Sequence, residues 1–257
     1  MTSKIHEMAV IHPNARIGND VEIGPFAVIG EFVTIGDGTK IAPHAVIDGH
    51  TTIGRECNIY PGASIGAAPQ DLKYRGEETS VIIGDRTSVR ECVTINRAVG
   101  EGEVTQVGND VLLMAYSHVG HNCIVGNNAV IANCVPLAGH VVLGDFVTVG
   151  GLAGIHQFVH IGDHVMIGGM TRISQDVPPY LLVVGNPSEV HGLNLVGLKR
   201  RGFTPEDRLE IKKIFKLIYR SKLNLSQAIE ELKKMEKTKY TVKYLEFLEN
   251  ASGRGIV

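Results

Sequence analysis

The chain has 257 residues, 25 Lys and Arg against 27 Asp and Glu, and a net charge of −2. That balance gives no electrostatic footprint for nucleic acid. No run approaches about eighteen apolar residues, so no membrane insertion is expected. Four cysteines, Cys57, Cys92, Cys123 and Cys134, form no C-x-x-C pair, which points away from a zinc knuckle or a redox motif. Thirty glycines, no tryptophan and few aromatics suit a solenoid of short strands better than a compact core. The start, MTSKIHEMAVIHPNARIG, lacks an apolar signal core, and the expectation is a soluble, cytoplasmic protein.

A repeat begins almost at once. Ile11, Ile17, Ile23, Ile29, Ile35, Ile41, Ile47, Ile53, Ile59 and Ile65 recur every six residues. A small or β-branched residue stands two positions before each, among them Ala15, Val21, Ala27, Val33, Thr39, Ala45, Thr51, Cys57 and Ala63. Residues two apart on a strand share a face, so both sets are assigned to the interior. Such a six-residue period is the signature of a parallel β-helix, with stability accumulating coil by coil. Glycine follows many of the isoleucines and is expected to serve corners that need positive φ.

The pattern breaks at 67–82, where Asp71 and Glu77 occupy inward positions, and this reads as a loop ejected from a corner. Ile83, Val89 and Ile95 restore the repeat. A second interruption covers 98–106, and Val107 opens a series that runs to Ile173. Periodicity gives no insertion length for either loop. The β-helix is expected to end near Asp176, before Val177-Pro178-Pro179. The remainder reads as helical: about Ser188–Arg201, a helix capped by Thr204-Pro205-Glu206-Asp207, one capped at Asn224 and ending near Lys237, and one over about Thr241–Asn250. The expected domains are therefore a β-helix over 1–186 and a small C-terminal α-helical domain over 187–257.

The most regular stretch, 117–145, carries His118, His121 and His140. Three repeats make one triangular coil, so a step of eighteen residues returns the chain to the same corner one layer on. His121, Gly139 and Gln157 are spaced by that step and should stack along one edge, with layers about 4.8 Å apart. A histidine base beside a glycine amide on a rigid wall suits acyl transfer.

The motifs go beyond periodicity. Gln70-Asp71-Leu72-Lys73-Tyr74, His118-Val-Gly-His121, Leu137-Ala-Gly-His140, His156-Gln157-Phe158, Gln175-Asp-Val-Pro-Pro-Tyr180 and Leu198-Lys-Arg-Arg-Gly-Phe203 occur in that order. With them the chain resembles, from end to end, the acyl-[acyl-carrier-protein]–UDP-N-acetylglucosamine O-acyltransferase family, which carries out the first step of lipid A synthesis. The resemblance implies a mainly β fold, a left-handed parallel β-helix of hexapeptide repeats with a helical tail. It also implies a homotrimer with sites between neighbouring prisms. It implies acyl carrier protein as acyl donor, UDP-N-acetylglucosamine as acceptor, and no cofactor or metal.

It assigns roles residue by residue. His121 matches the base, and Gly139 matches the glycine whose amide stabilises the oxyanion. Asn122 stands where the family usually has the aspartate that orients the imidazole. Gln70, Asp71 and Lys73 match loop residues that contact sugar or acyl chain. His118, His140 and Gln157 match residues lining the sugar and thioester site, with His156 beside them. Asn194, Arg200 and Arg201 match uridine and diphosphate contacts, and Gly169 matches the stop for the acyl chain, with Met170 as its rival. Val196 and Pro187 depart from an acidic residue and a histidine found in some relatives. Without the resemblance His121 could equally be a turn histidine in water, Gly139 a corner glycine and Arg200 a solvated helix end.

Three other readings stay open. A γ-carbonic anhydrase-like site could use the three histidines for zinc. It leaves the 67–82 loop and the tail unexplained. The N-acyltransferase acting later in the same pathway should carry an additional N-terminal domain. A purely structural prism has no need of Asp71, Lys73, His121 and Arg200 together.

Overall fold

The computed structural model describes residues 3–257; residues 1 and 2, where the expected first domain starts, lie outside them. From Lys4 onward short strands, mostly two residues long, alternate with tight corners. Each pairs in parallel with a strand one coil on: Ile23 with Ile41, Ile47 with Ile65, Val125 with Leu143. Every one of those steps is eighteen residues. Three sheets result, of eleven, nine and eight strands among the described residues, and they form the faces of a prism.

The interior follows from the two apolar positions in each repeat. Ile29, Ile47, Ile65, Ile95, Val119, Leu137, Ile155 and Ile173 form one stacked column and are all buried. Ala27, Ala45, Ala63, Val93, Cys123, Val135 and Val159 are buried too, so small residues fill the narrow parts of the triangle. Thr39 and Thr51 lie inside without cost in lost hydrogen bonds, since their hydroxyls reach the carbonyls of Gly54 and Asp48. Ile11, Ala15 and Ile17, in the first turn of the solenoid, are only half-buried.

The corners correct one expectation. Positive φ falls mostly on non-glycine residues, including Phe26, His44, Asn122, His140, Phe158 and Met170, while Gly66, after Ile65, does adopt it at +82°. The other glycines after the isoleucines, Gly18, Gly24, Gly30, Gly36 and Gly54, serve a different purpose, the close approach of coils. A Cβ on Gly36 would lie 2.6 Å from the carbonyl carbon of Gly54. At one edge the corner amides are bonded by side chains from the next coil. Asn109 N–H donates to Asn127 Oδ1 (2.9 Å), Asn127 to Asp145 Oδ1 (2.7 Å) and Asp145 to Asp163 Oδ1 (3.1 Å).

The register fixes both loop lengths. Ile53 pairs with Ile83, a step of thirty, and Ile83 pairs with Val107, a step of twenty-four. Against the regular eighteen, the first loop adds twelve residues and the second adds six. The strands Ser64–Ala67 and Ser80–Ile83 bracket the first loop, and Thr94–Asn96 and Val104–Val107 bracket the second.

The end of the solenoid also differs from expectation. Leu181–Val184 pairs with Met166–Ile167 as one more parallel rung, then folds back on Glu189–Leu193 as an antiparallel hairpin. Residues 188–193 are therefore not helical. Val190 favours a strand, and Gly192, at φ +131°, cannot join a helix. Four helices follow: α1 (Leu195–Arg200), α2 (Pro205–Tyr219), α3 (Leu225–Lys234) and α4 (Lys239–Glu249). The sequence-read caps work as such. Thr204 with Asp207, and Asn224 with Gln227, form reciprocal capping boxes. Helix α3 stops at Met235, before Lys237, and Thr238 opens α4. The tail then returns to the prism, where Asp176 N–H donates to Gly255 O (2.9 Å) and Val257 N–H donates to Asp176 O (3.0 Å).

Candidate active site

His121, Gly139 and Gln157 occupy one corner column. His140 N–H donates to His121 O (2.9 Å), and Phe158 N–H donates to Gly139 O (3.0 Å). The imidazole of His121 lies directly against Gly139: a Cβ on that glycine would overlap the ring. The His121 side chain is 16% exposed, shielded but reachable.

Asn122 sits at φ +58° in the same corner and uses both ends of its amide. Its Oδ1 accepts from Val99 N–H (2.9 Å), and its Nδ2 donates to Val99 O (3.1 Å). That pair fixes which end of the amide is oxygen. His121 Nδ1, 2.9 Å from Oδ1, is thereby the N–H tautomer, and the lone pair of the neutral ring sits on Nε2. Asp71 Oδ2, from the first loop, lies 3.8 Å from Nε2.

Burial disfavours the charged form of two neighbouring histidines. His118 Nδ1 is bonded to the hydroxyl of Thr94 (2.7 Å), and burial, followed by the nearby His121, lowers its pKa. His140 packs edge-on to His121, with centroids 5.1 Å apart, and stacks on Phe158 at 4.5 Å. Burial again lowers its pKa, with His121 as the second cause. His156 and Gln157 are exposed on the same edge. Among the described residues no three His, Cys, Asp or Glu side chains are grouped as a metal's ligands would be.

The first loop brings its residues over this column. Asp71 Oδ1 caps the N–H of Lys73 (2.8 Å), leaving Oδ2 facing His121. Gln70 and Lys73 are exposed.

The remaining candidates lie elsewhere on the chain. Arg200, Arg201 and Asn194 line a groove of about 490 Å³ between α1 and the first sheet, with Thr148, Met166 and Leu182 on its floor. Asn194 is buried, caps α1 at Gly197 N–H, and donates to His164 O (2.9 Å), so its amide is occupied by the fold. Arg201 lies over the Phe146 ring at 5.1 Å, and burial lowers its pKa. His164 completes that cluster. It stacks on Phe146, and burial, then Arg201, brings its pKa to about 4. Gly169 and Met170 stand on another corner column with Tyr116, Cys134 and Leu152, linked by Cys134 N–H to Ala115 O, Leu152 N–H to Asn133 O and Met170 N–H to Gly151 O. Tyr116, Leu152 and Met170 are 64%, 64% and 74% exposed there. A larger hollow of about 550 Å³, between Lys4 and Tyr60, is open surface at the N-terminal end of the prism, away from these histidines.

Thr94, Val99 and His164 were not singled out from sequence, and Phe158 only as a member of the His156-Gln157-Phe158 motif. Thr94 precedes His118 by twenty-four residues, so its place becomes readable only once the second loop is known to add six.

Comparison with known proteins agrees over the whole chain. Residues 176–257 match the description "Udp N-acetylglucosamine O-acyltransferase; Domain 2", and residues 2–36, 32–67 and 105–135 match "Bacterial transferase hexapeptide (six repeats)". The acyl-[acyl-carrier-protein]–UDP-N-acetylglucosamine O-acyltransferase of a Janthinobacterium is 47% identical, covering 99% of each chain. That of Paracidovorax citrulli is 56% identical over 90% of this chain and 89% of its own. Among solved structures, the UDP-N-acetylglucosamine acyltransferase of Bacteroides fragilis superposes with a TM-score of 0.95 at 40% identity, covering 98% of this chain and 99% of that one. The Acinetobacter baumannii structure gives 0.95 at 42%, with the same coverage.

Proposed function

The chain belongs to the acyl-[acyl-carrier-protein]–UDP-N-acetylglucosamine O-acyltransferase family, and from that premise we propose how its own residues carry out the transfer. Its prism is a left-handed parallel β-helix of hexapeptide repeats, and it is an acyltransferase of lipid A synthesis. Acyl carrier protein brings an (R)-3-hydroxyacyl thioester, and the acceptor is the 3-hydroxyl of UDP-N-acetylglucosamine. His121 Nε2 takes the hydroxyl proton as the oxygen attacks the thioester carbonyl in one step, with no acyl-enzyme. The Gly139 amide faces the developing oxyanion. Collapse forms the ester and breaks the C–S bond, and the imidazolium returns its proton to the leaving thiol. The observation that carries this reading is the tautomer: Asn122 holds Nδ1 as donor and leaves Nε2 basic, beside Gly139.

The separation of the other candidates supports a neighbouring copy in the complete site. Loop and histidines share one corner column, Gly169 lies on another, and Arg200 and Arg201 line a groove on the first sheet. A homotrimer that sets these surfaces against each other would gather sugar, thioester, nucleotide and acyl contacts. Incubating the purified protein with a panel of hydroxyacyl carrier proteins and UDP-sugars, then weighing the products, tests the reaction. An O-acylated UDP-N-acetylglucosamine is expected, and its absence with every donor overturns the assignment.

A further inference from the structure

We propose that Glu77 and Asn122 are two clasps that bind the loops into one plate over His121, making Glu77 a positioning residue for the reaction. This rests on the acyl-transfer reading above for its kinetic consequence, but not for its structural one. Both loops leave the prism at the corner column of His121, on successive coils, since Arg97 N–H donates to Ala67 O (3.0 Å).

The second loop is pinned from below by Asn122, through its two bonds to Val99. An aspartate there keeps the acceptor and loses the donor, and a carboxylate oxygen then faces the Val99 carbonyl.

The first loop is joined to the second by Glu77. Its Oε1 accepts from Gly100 N–H (3.1 Å) and its Oε2 from Arg75 N–H (2.7 Å), so one carboxylate spans both loops. Glu78 N–H reaches Glu101 Oε2 (3.2 Å), and Gly102 N–H reaches Glu78 O (2.9 Å). Arg97 Nη2 donates to Tyr74 Oη (3.1 Å), whose hydroxyl donates to Glu77 O (3.1 Å). Tyr74 N–H in turn donates to Asp71 O (3.1 Å), and Asp71 closes the circuit at His121 Nε2. Glu77 itself touches neither histidine nor Asp71, yet the place of Asp71 depends on it.

Amide hydrogen exchange and steady-state kinetics on wild type, Glu77→Gln and Asn122→Asp test the clasps. Glutamine replaces one of the two acceptors of Glu77 with a donor facing a backbone N–H. Exchange should quicken across 71–78 and 97–103 in Glu77→Gln, and across 97–103 in Asn122→Asp. For Glu77→Gln the KM for UDP-N-acetylglucosamine should rise about tenfold with kcat nearly unchanged, the loss of one charge-assisted hydrogen bond that positions the sugar loop. Wild-type exchange in either variant overturns the proposal, and so does a fall in kcat with KM unchanged. If the loops loosen while no protein, wild type included, transfers an acyl group, the clasps stand and the functional reading falls.

Discussion

Gly139 leaves room for the ring of His121, and no other residue could: a methyl group at 139 would overlap the imidazole. The obstructing atoms belong to a side chain that can rotate, so Gly139→Ala should fold. The displaced base should lose kcat on the order of 10²-fold, the effect of misplacing a reacting group by about 1 Å. Circular dichroism and turnover measured together check this. An alanine variant with wild-type kcat would show that the contact is irrelevant to catalysis.

Removing the base itself is the companion experiment. His121→Ala should remain folded and lose about 10²–10⁴-fold in turnover. Activity within about threefold of wild type would sink the assignment.

Arg200 is exposed beside the groove under α1. Arg200→Ala should raise KM for the UDP-sugar by about tenfold, as expected for one charged contact to phosphate, and should hardly alter use of a sugar phosphate lacking the nucleotide. Equal losses on both substrates would remove this arginine from nucleotide binding.

A Cβ on Gly169 would meet Gly151 O at 3.2 Å, a tight contact relieved by a small shift of that corner, and no other group comes close except Gly151 N at 4.0 Å. Gly169→Met should therefore fold and shift the preference from longer to shorter hydroxyacyl chains, by a graded amount of about 1–3 kcal/mol for each methylene sensed. Competition between long and short acyl carrier proteins reads the shift. If Met170→Ala lengthens the preference while Gly169→Met does nothing, Met170 is the stop.

His164 predicts an acid sensitivity unrelated to catalysis. Its folded-state pKa is about 4, against 6.5 for the free side chain. Between those values the unfolded chain takes up a proton that the folded chain does not. Stability from this group is thus complete above 6.5, declines as pH falls through the interval, and levels off below 4. His164→Phe should keep the stack on Phe146 and flatten that decline. Melting temperatures at about pH 7.5 and about pH 5, compared for the two proteins, decide it; identical losses would exclude His164 as a source.

Most of the prism was legible because one rule governs it. An isoleucine every sixth residue, with a small residue two before, already implies columns and corners. The stacking of His121 on Gly139 is that rule applied once. What stayed hidden depends on departures from it. Thr94 bonds His118, and Val99 meets Asn122, only because the second loop adds six residues, and side-chain periodicity says nothing about residues that leave the coil. Gly192 was overlooked in a stretch assigned to a helix, although a glycine there is poor for helix. Corner φ was misassigned at most positions because glycine can satisfy two demands, and sequence does not say which; Gly66 takes the positive φ, and the other glycines after isoleucines yield space to the next coil.

The glycine contacts between coils have a consequence for how such a wall measures things. Backbone rests on backbone at Gly36 and its counterparts, so the rise of each coil is set by atoms common to all residues rather than by particular side chains. The prism is a ratchet with equal teeth, graduated at about 4.8 Å. Tyr116, Cys134, Leu152 and Met170 mark successive teeth on one edge, and His121 and Gly139 occupy two on another. A stop moved by substitution along such an edge shifts by whole teeth, and finer adjustment must come from the length of the side chain mounted there.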